Sequence, residues 1–317
     1  MPNTLAHLGV QGVLTKLAVP QADLKLVFLG CLLPDIPWII RRAVVGLDPG
    51  VDLYSLKLYA ITQSSLFMTL VLCGALAGLS RTPGRAFGIL GSNAVLHLVL
   101  DAIQIKWANG VHLVAPFSWV LCNVGWFWPE SLPTYLLTGF GLGYVFWRWK
   151  EALAEPLSLA TFSTYRIGLC LIGLTVYLMA PFVFLHEPFM HDNHYVRTFQ
   201  ERNHRIDRPV EADRRPYTKG VKNDVINVFG EDFVVRGAQL AQSGMASIRG
   251  RFVQEQVIEV WDIHAHSTWF REWSSCVGIF AVGSIWLIVI IRHLRMITQK
   301  THGASRRSQK EGHVRHH

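Results

Sequence analysis

Six apolar segments limit what this chain of 317 residues can fold into. Half of the residues are hydrophobic and only 16% are charged, whereas soluble domains are charged at about a quarter of their positions. A membrane-spanning helix needs about 20 apolar residues, although tilt and interfacial tryptophans extend the reach of shorter ones. We therefore predict a mainly α fold, a polytopic helical membrane bundle. The segments are residues 24–45, 64–79, 86–105, 132–147, 167–185 and 276–291.

The composition changes sharply between the last two segments. Residues 186–272 contain 12 Lys/Arg and 13 Asp/Glu and no long apolar run. From Asp224 onward, short runs of β-branched residues alternate with glycines, a pattern typical of strands. We therefore predict a small antiparallel β domain or barrel, inserted before the last transmembrane helix. Small barrels that bind single-stranded nucleic acid carry a basic aromatic stripe, and because this sequence lacks one, no nucleic-acid partner is predicted.

The formal charge of +8 lies mostly in the C-terminal tail. From Arg292 onward the chain has seven Lys/Arg and one Asp/Glu, which accounts for +6 of that charge. Basic segments next to a membrane span stay in the cytoplasm and contact anionic lipid. The tail is therefore predicted to be cytoplasmic, with membrane lipid as its partner and with the β domain on the opposite side of the membrane.

These patterns divide the chain into five parts, and the first part carries the candidate chemistry. The β-rich part is predicted to be soluble, extracytoplasmic and able to bind a protein partner. In order, the parts are a membrane-embedded helical domain (1–150), a connection with a transmembrane helix (151–185), the β-rich domain (186–273), a transmembrane helix (274–292) and the basic tail (293–317).

A histidine and an aspartate lie four residues apart in the third apolar segment. On a helix, His97 and Asp101 share one face, about one turn apart, and their neighbours are apolar. Unpaired burial of an imidazole and a carboxylate is costly, so each needs a partner, which is either the other residue or a shared ion. Two interpretations stay open from the spacing alone: a structural His–Asp hydrogen bond, and a metal or catalytic site.

The first apolar segment is interrupted by an acidic residue between two prolines. Pro34 and Pro37 each remove a backbone donor, and Asp35 lies between them with apolar residues on both sides. Irregular backbone inside a membrane occurs where it is packed in protein or lines a polar cavity. Asp35 is therefore predicted either to face an ion site or to cap the second half of the helix.

Two other groups of histidines occur in the charged insert. Residues 186–194 hold three histidines and an aspartate without the regular spacing of metal ligands, which favours a solvated loop beside a helix. His264 and His266 alternate on a predicted strand and therefore share one face. We predict that these two form a surface pair rather than a pair of ligands.

The order of these residues resembles the YdjM-like family of bacterial inner-membrane, metal-dependent hydrolases. The resemblance covers about residues 1–120, just over a third of the chain, and it implies a multi-pass protein of the bacterial inner (cytoplasmic) membrane. The same arrangement is more remotely similar to zinc-dependent phospholipases C and P1-type nucleases, whose His and Asp ligands come from several helices. The residues that match are His7, Pro34, Asp35, His97, Asp101, Gly110 and Pro116.

The resemblance implies a site for a divalent metal ion, with zinc as the first choice and manganese as the second. Asp35 and Asp101 would also be catalytic, since one carboxylate can act as a general base instead of a ligand. Gln63 and His112 would support the ligands or contact the substrate. The implied metal ligands are His7, Asp35, His97 and Asp101.

Two departures from the family pattern bear on this prediction. Pro37 stands where family members often have a second acid, and Gln63 and Ser64 lie where many have histidines. One metal ion, or none, is therefore predicted rather than several.

Two main function classes stay open. The first is a membrane-bound metal-dependent hydrolase, acting on a phosphoester or lipid-like substrate at the membrane surface. The second is a non-catalytic membrane scaffold or partner-binding protein, and a broken helix with a carboxylate also occurs in transporters.

Overall fold

The computed structural model of the protein describes residues 3–154, 156, 159, 163–267 and 269–314, with the backbone alone for 300–314. A helical part comes first, a β-barrel follows, and a long helix ends the chain. The helices are α1 (Thr4–Ala18), α2 (Leu24–Leu32), α3 (Ile36–Leu47), α4 (Leu53–Gln63), α5 (Leu66–Ala77), α6 (Pro83–Ala102), α7 (Leu132–Ala154), α8 (Thr164–Phe184), α9 (His186–His191), α10 (Val196–Gln200) and α11 (Trp269–Val314). The strands are β1 (Pro209–Thr218), β2 (Asp224–Val228), β3 (Glu231–Gly237), β4 (Gly244–Gln254) and β5 (Val257–His266).

Two helices of the described residues are long and apolar enough to cross a membrane. They are α8 and the part of α11 that runs from Trp269 to Gln299. A third span exists only if α4 and α5, which meet at a 66° bend, count as one broken span. The predicted polytopic helical bundle is therefore wrong. The sequence prediction accepted segments of only 16 residues, such as 64–79 and 132–147, although a simple span needs about 20 apolar residues.

The predicted first span, residues 24–45, is divided by its prolines. Leu33–Asp35 forms a 3₁₀ turn between α2 and α3, because Pro34 and Pro37 have no N–H to donate to the preceding turn. Asp35 precedes α3 directly, but its side chain makes no capping hydrogen bond to that helix. The carboxylate is buried and directed toward α6 instead. Between the two interpretations of Asp35, the structure therefore disfavours helix capping.

Helix α1 occupies the middle of the helical part and contacts α2, α6, α7 and α11. Its closest neighbour is α7, where two glycines face each other across the helix pair. A Cβ on Gly9 would lie 2.5 Å from the Cα of Gly141, and a Cβ on Gly141 would lie 1.9 Å from the carbonyl oxygen of Leu5. Only glycine permits this backbone approach, which sets the position of α1 and hence of His7.

The Gly141→Ala variant is expected to separate α1 from α7 and to destabilise the protein by about 3 kcal/mol, the upper part of the usual range for overpacking. Its added methyl group meets backbone, which cannot change rotamer to make room. Gly143→Ala on the same helix is the matched control, since no described atom lies within 4 Å of its Cβ. Thermal unfolding in detergent gives the melting temperatures of both variants. Equal melting temperatures for the two variants would contradict the close helix contact.

The five strands close into a barrel in the order β1-β2-β3-β5-β4. All neighbouring pairs are antiparallel except β3 and β5, which run parallel. An odd number of strands cannot alternate in direction around a closed ring, so one parallel pair is unavoidable. The predicted wholly antiparallel domain is corrected at this pair. The barrel also begins at Pro209, before the predicted first strand, because β1 carries more charged residues than an alternating strand pattern shows.

The barrel packs against the helical part of the chain. Leu58 and Ile61 of α4 join its apolar core, together with Phe199 of α10. On another side, the long loop between α6 and α7 contacts β1, where the Ala108 N–H donates to Glu211 Oε2 at 2.7 Å. A cleft between helices and barrel results, and the candidate residues of α6 lie at one side of it.

Candidate metal centre

Helices α1 and α6 bring two histidines and an aspartate together. His7 Nε2 lies 3.5 Å from Asp101 Oδ1, and His97 Nε2 lies 4.0 Å from Asp101 Oδ2. The His7 and His97 rings are stacked, with their centroids 3.9 Å apart and their planes within 6°. One ligand atom from each of the three residues can be chosen so that all lie within 4.8 Å of one another. All three residues are buried.

The fourth predicted ligand, Asp35, joins this cluster from the turn before α3. Its Oδ1 lies 3.2 Å from His97 Nε2. The structure thus brings together the side chains of all four residues that the sequence singled out. The tightest group, however, contains His7, His97 and Asp101 without Asp35. Asp35 is also one of the residues that line a large cavity.

The hydrogen bonds around His97 fix the orientation of its ring. Its Nδ1 lies 2.6 Å from the Cys31 carbonyl oxygen, which can only accept, so Nδ1 carries the proton. In the neutral ring, Nε2 then presents a lone pair to the carboxylates of Asp35 and Asp101. A lone pair and two carboxylates repel one another unless a cation lies between them. The geometry therefore suits either a proton on Nε2 or a metal ion.

His7 is held in a similar way by a glutamine one turn further along α1. Its Nδ1 lies 3.0 Å from Gln11 Nε2, and Gln11 Oε1 accepts from the Cys31 thiol at 3.0 Å. In this orientation the Gln11 amide donates to Nδ1, so the neutral His7 ring carries its proton on Nε2, toward Asp101. Metal binding at Nε2 requires the amide to turn over, so that Oε1 accepts from Nδ1–H. Partners of this kind orient metal-binding imidazoles in proteins.

Three buried polar atoms test whether a metal ion fits this cluster. His7 Nε2, His97 Nε2 and Asp101 Oδ1 are buried and make no hydrogen bond of good geometry among the described residues, although His7 Nε2 lies 3.5 Å from Asp101 and His97 Nε2 lies 3.2 Å from Asp35. Buried polar atoms without hydrogen bonds are costly, and one ligand atom from each of these three residues lies within 4.8 Å of the others. Two imidazole nitrogens and a carboxylate oxygen form a ligand set that suits zinc and related divalent ions. The residues therefore fit a divalent metal ion.

Lys106 adds a positive charge at the edge of the cluster. It lies in the loop after α6, and its Nζ lies 3.1 Å from Asp101 Oδ2. That contact leaves the other carboxylate oxygen, Oδ1, directed toward His7. Lys106 is buried, although lysine is seldom fully buried unless it is paired. The ammonium group thus lies where it can stabilise negative charge beside the His7–His97–Asp101 cluster.

Burial and charge together set the protonation of the cluster, whose helices α1 and α6 lie outside the two candidate spans. Burial, with the neighbouring His97, lowers the pKa of His7 to about 4. Burial opposes ionisation of Asp101, but Lys106 and His7 hold the pKa of that carboxyl well below its usual range. Burial disfavours the charged form of His97, but the negative charges of Asp35 and Asp101 outweigh this effect and raise the pKa of His97 above its ordinary value. A metal ion would therefore displace a proton from His97 on binding.

A cavity of about 380 Å³ opens between this cluster, the barrel and the start of α11. Asp35, His97 and Asp101 form part of its wall. Among the described residues, its lining carries seven Lys/Arg side chains and four Asp/Glu side chains, so it is positively charged overall. The cationic residues are Arg41, Arg42, Lys57, Lys106, Arg214, Arg215 and Arg271.

Two residues predicted to support the site make their contacts elsewhere. Gln63 donates to the Tyr59 hydroxyl at 3.1 Å and to the Tyr177 carbonyl at 3.4 Å. His112 Nε2 faces His194 Nε2 at 3.0 Å, beside the ring of Trp119. Both are buried polar residues of other parts of the structure. Neither belongs to the described lining of the cavity.

Two histidines of the charged insert, His194 and His266, depart from their predicted surroundings, whereas His186 and His191 are exposed as predicted. His194 is buried against His112 rather than solvated in a loop, and Asp192 accepts hydrogen bonds from the N–H groups of Arg197 and Thr198 at the start of α10. His266 is buried as well, so the predicted surface pair on β5 is wrong. These residues are covered because loops pack against the barrel. Spacing along the chain does not reveal such packing.

Sequence reasoning missed the partners of the metal centre. Gln11 follows His7 by four residues on the same helix, so the spacing that linked His97 to Asp101 applies to it as well. Lys106 lies five residues beyond Asp101 in a loop, where no periodicity places it. The arginines of the cavity come from α3, β1 and α11, which only the folded chain brings together.

Comparisons of this chain with protein-family profiles, with curated proteins and with solved structures find no match. The functional assignment therefore rests on the geometry of the cluster and its cavity.

Proposed function

We propose that this protein is a membrane-bound, metal-dependent hydrolase that acts on an anionic phosphoester. The observation that carries the proposal is the convergence of three buried ligand atoms without hydrogen bonds, from His7, His97 and Asp101, the last two of which line a cationic cavity. His7, His97 and Asp101 would hold a divalent metal ion, with zinc favoured over manganese by two imidazole ligands. The resemblance of residues 1–120 to YdjM-like hydrolases belongs to the same proposal.

Each residue of the cluster then has a distinct task. The metal ion would supply an activated water and polarise a phosphoryl oxygen of the substrate. Asp35, which lines the cavity and stands outside the tightest ligand group, accepts a proton as general base. The Cys31 carbonyl holds His97 by accepting from Nδ1–H, and Gln11 holds His7.

The cationic lining selects the substrate. Lys106, Arg42 and Arg214 lie around the same cavity as the cluster, and such side chains bind phosphoryl oxygens through charge-assisted hydrogen bonds. Their charge attracts an anionic substrate and stabilises the additional negative charge that develops during phosphoester cleavage. A neutral ester offers them fewer contacts, so we propose a phosphoester.

The two apolar helices support a location in a membrane. Helix α8 and the first part of α11 flank the barrel in sequence, so both ends of the barrel domain would lie near the same bilayer surface. We propose that this is the bacterial inner (cytoplasmic) membrane, where the substrate is lipid-like and the basic tail contacts anionic lipid. The barrel would also offer a surface to a protein partner.

Lys106 favours a second candidate function. Its ammonium group lies 3.1 Å from Asp101 and supplies positive charge to the cluster without any metal ion. A chain in which lysine neutralises the aspartate would be a non-catalytic membrane scaffold that retains a degenerate hydrolase-like site. The two functions differ in metal content and in activity, and both can be measured on the full chain.

Removal and return of the metal ion test the proposed function. Full-length protein in detergent should hydrolyse an activated phosphodiester, or phospholipid in vesicles. A zinc chelator should abolish this activity, and zinc or manganese at one equivalent per site should restore it. Activity that survives complete loss of metal would contradict the proposal, and metal-free protein without any activity would support the scaffold.

The Lys106→Met variant tests the role of the cationic lining. We expect it to keep its metal ion and to lower kcat/KM for the phosphodiester about 10- to 100-fold, because a charged hydrogen bond to the reacting phosphoryl group is lost. Lys222→Met, at an exposed site on the barrel domain, is the matched control and should leave kcat/KM unchanged. A higher activity in Lys106→Met would show that the lysine competes with the metal ion for Asp101.

A further inference from the structure

A second cluster of ligand-type residues lies on the barrel, away from the centre just described. Strand β5 presents His264 and His266 on one face, and Glu130 reaches them from the loop before α7. Glu130 Oε1 lies 3.2 Å from His266 Nδ1, and Glu130 Oε2 lies 3.8 Å from His264 Nε2. One ligand atom from each residue can be chosen so that all three lie within 4.8 Å of one another.

A chain of hydrogen bonds fixes which nitrogen of His266 carries a proton. The Ser247 hydroxyl donates its single hydrogen to Asp213 Oδ1 at 2.8 Å and accepts from the Arg214 N–H at 3.1 Å. His266 Nε2, which lies 2.7 Å from the same hydroxyl oxygen, must therefore be a donor. In the neutral ring, Nδ1 then presents a lone pair to the carboxylate of Glu130. These two groups need a cation between them.

The other two ligand atoms face each other at 3.8 Å, too far apart for a hydrogen bond. His264 Nε2 and Glu130 Oε2 are buried and have no hydrogen-bond partner among the described residues. Arg214 donates to the opposite oxygen of Glu130, Oε1, and so leaves Oε2 directed toward His264. The Trp128 ring stacks on His264 with a centroid distance of 3.7 Å and holds the imidazole in place.

We propose that Glu130, His264 and His266 form a second binding site for a divalent metal ion, with zinc as the best match. Zinc binds imidazole nitrogen and carboxylate oxygen at about 2.0–2.2 Å, so neighbouring ligand atoms in a tetrahedral site lie about 3.3 Å apart. One ligand atom from each of the three residues lies within 4.8 Å of the others, so the side chains must close by up to about 1.5 Å around a bound ion. The Asp213–Ser247 pair orients His266, as a carboxylate does for many zinc-binding histidines.

This site joins two parts of the fold. Glu130 belongs to the loop that leads into α7, whereas both histidines belong to the barrel. The side chains of His266 and Glu130 are 1% and 12% exposed and that of His264 is 28% exposed, so the cluster lies at the edge of the buried region. A metal ion here clamps the barrel to the loop and holds the cavity wall that contains Arg214.

Zinc content and zinc titration of full-length protein in detergent test the second site, in a His97→Ala background that removes the first. We expect one zinc ion per chain, a rise in melting temperature when zinc is added to chelator-treated protein, and loss of both in the His97→Ala/His264→Ala chain. His97→Ala/His204→Ala, which changes an exposed histidine near the barrel, is the matched control and should keep the zinc ion.

Two further variants keep the proposal falsifiable if an alanine variant fails to fold. Glu130→Gln retains the shape of the side chain and should abolish zinc binding, and Ser247→Ala should weaken it about 10- to 100-fold. A His97→Ala chain that binds no zinc would overturn the proposal and would assign the cation between Glu130 and His266 to a proton. Zinc that persists in the His97→Ala/His264→Ala chain would overturn it as well, by locating the metal elsewhere.

Discussion

The His97→Ala variant is expected to lose the metal ion of the cluster and all hydrolytic activity, while the protein still folds and enters the membrane. The imidazole is the central member of the group, because its Nε2 lies within 4.0 Å of both Asp35 and Asp101. Without it, a metal ion would retain one imidazole, too few for a stable zinc site. Mass spectrometry of the metal content and a phosphodiester assay measure the two losses.

His112→Ala is the matched control for this prediction. His112 is also a buried histidine that follows α6, but its Nε2 bonds to His194 and not to the cluster. We expect this variant to lose some thermal stability and to keep its metal content and its kcat. If the two variants lose activity equally, the effect belongs to folding, and the assignment of His97 as a ligand is contradicted.

The second large effect is expected at Arg205, which is buried in the segment between α10 and β1. Its guanidinium donates to both carboxylate oxygens of Glu231, at 3.1 and 2.8 Å, and to the carbonyl oxygen of Phe199. The charged group also lies over the Phe233 ring, 4.9 Å from its centroid. Arg205→Met leaves Glu231 without its main partner, and breaking a buried pair in this way costs about 3–5 kcal/mol.

This loss should appear as a lower urea midpoint and as faster tryptic cleavage between residues 186 and 267. Arg202→Ala is the matched control, because Arg202 is 62% exposed and only 3.7 Å from the same Glu231. Exposed ion pairs contribute about 0–1 kcal/mol, so its midpoint should stay close to that of the wild type. A midpoint for Arg205→Met equal to that of Arg202→Ala would contradict the structural importance of the buried pair.

Local spacing was sufficient to locate the helix that carries two residues of the candidate metal centre. The apolar run around His97 and Asp101 predicted a helix over 86–105, and the structure has α6 at Pro83–Ala102 with both side chains on one face. Asp35 was singled out by the proline break and His7 by resemblance to a family, and the structure brings their side chains to the same place. Metal binding by these residues stays a prediction.

Features that depend on long-range packing were not predictable from spacing. The number of membrane spans was overestimated, because apolar runs that pack inside the protein look like short spans in a sequence. Glu130 lies more than 130 residues before His264 and His266, and only the closed barrel brings it to them. The position of Arg214 was not predictable either. Its side chain faces the loop before α7 because the pairing of β1 with β4 shifts register between Ala212 and Arg215.

The metal content of the His264→Ala chain, purified in detergent without a chelator, tests the central claim most directly. This variant lacks the second site but keeps His7, Asp35, His97 and Asp101 unchanged. We expect one zinc or manganese ion per chain, and none after the further change Asp101→Asn, because the amide keeps the shape of the side chain and loses the charge that a cation needs. A His264→Ala chain that contains no stoichiometric metal ion would contradict the metal centre and the hydrolase proposed from it.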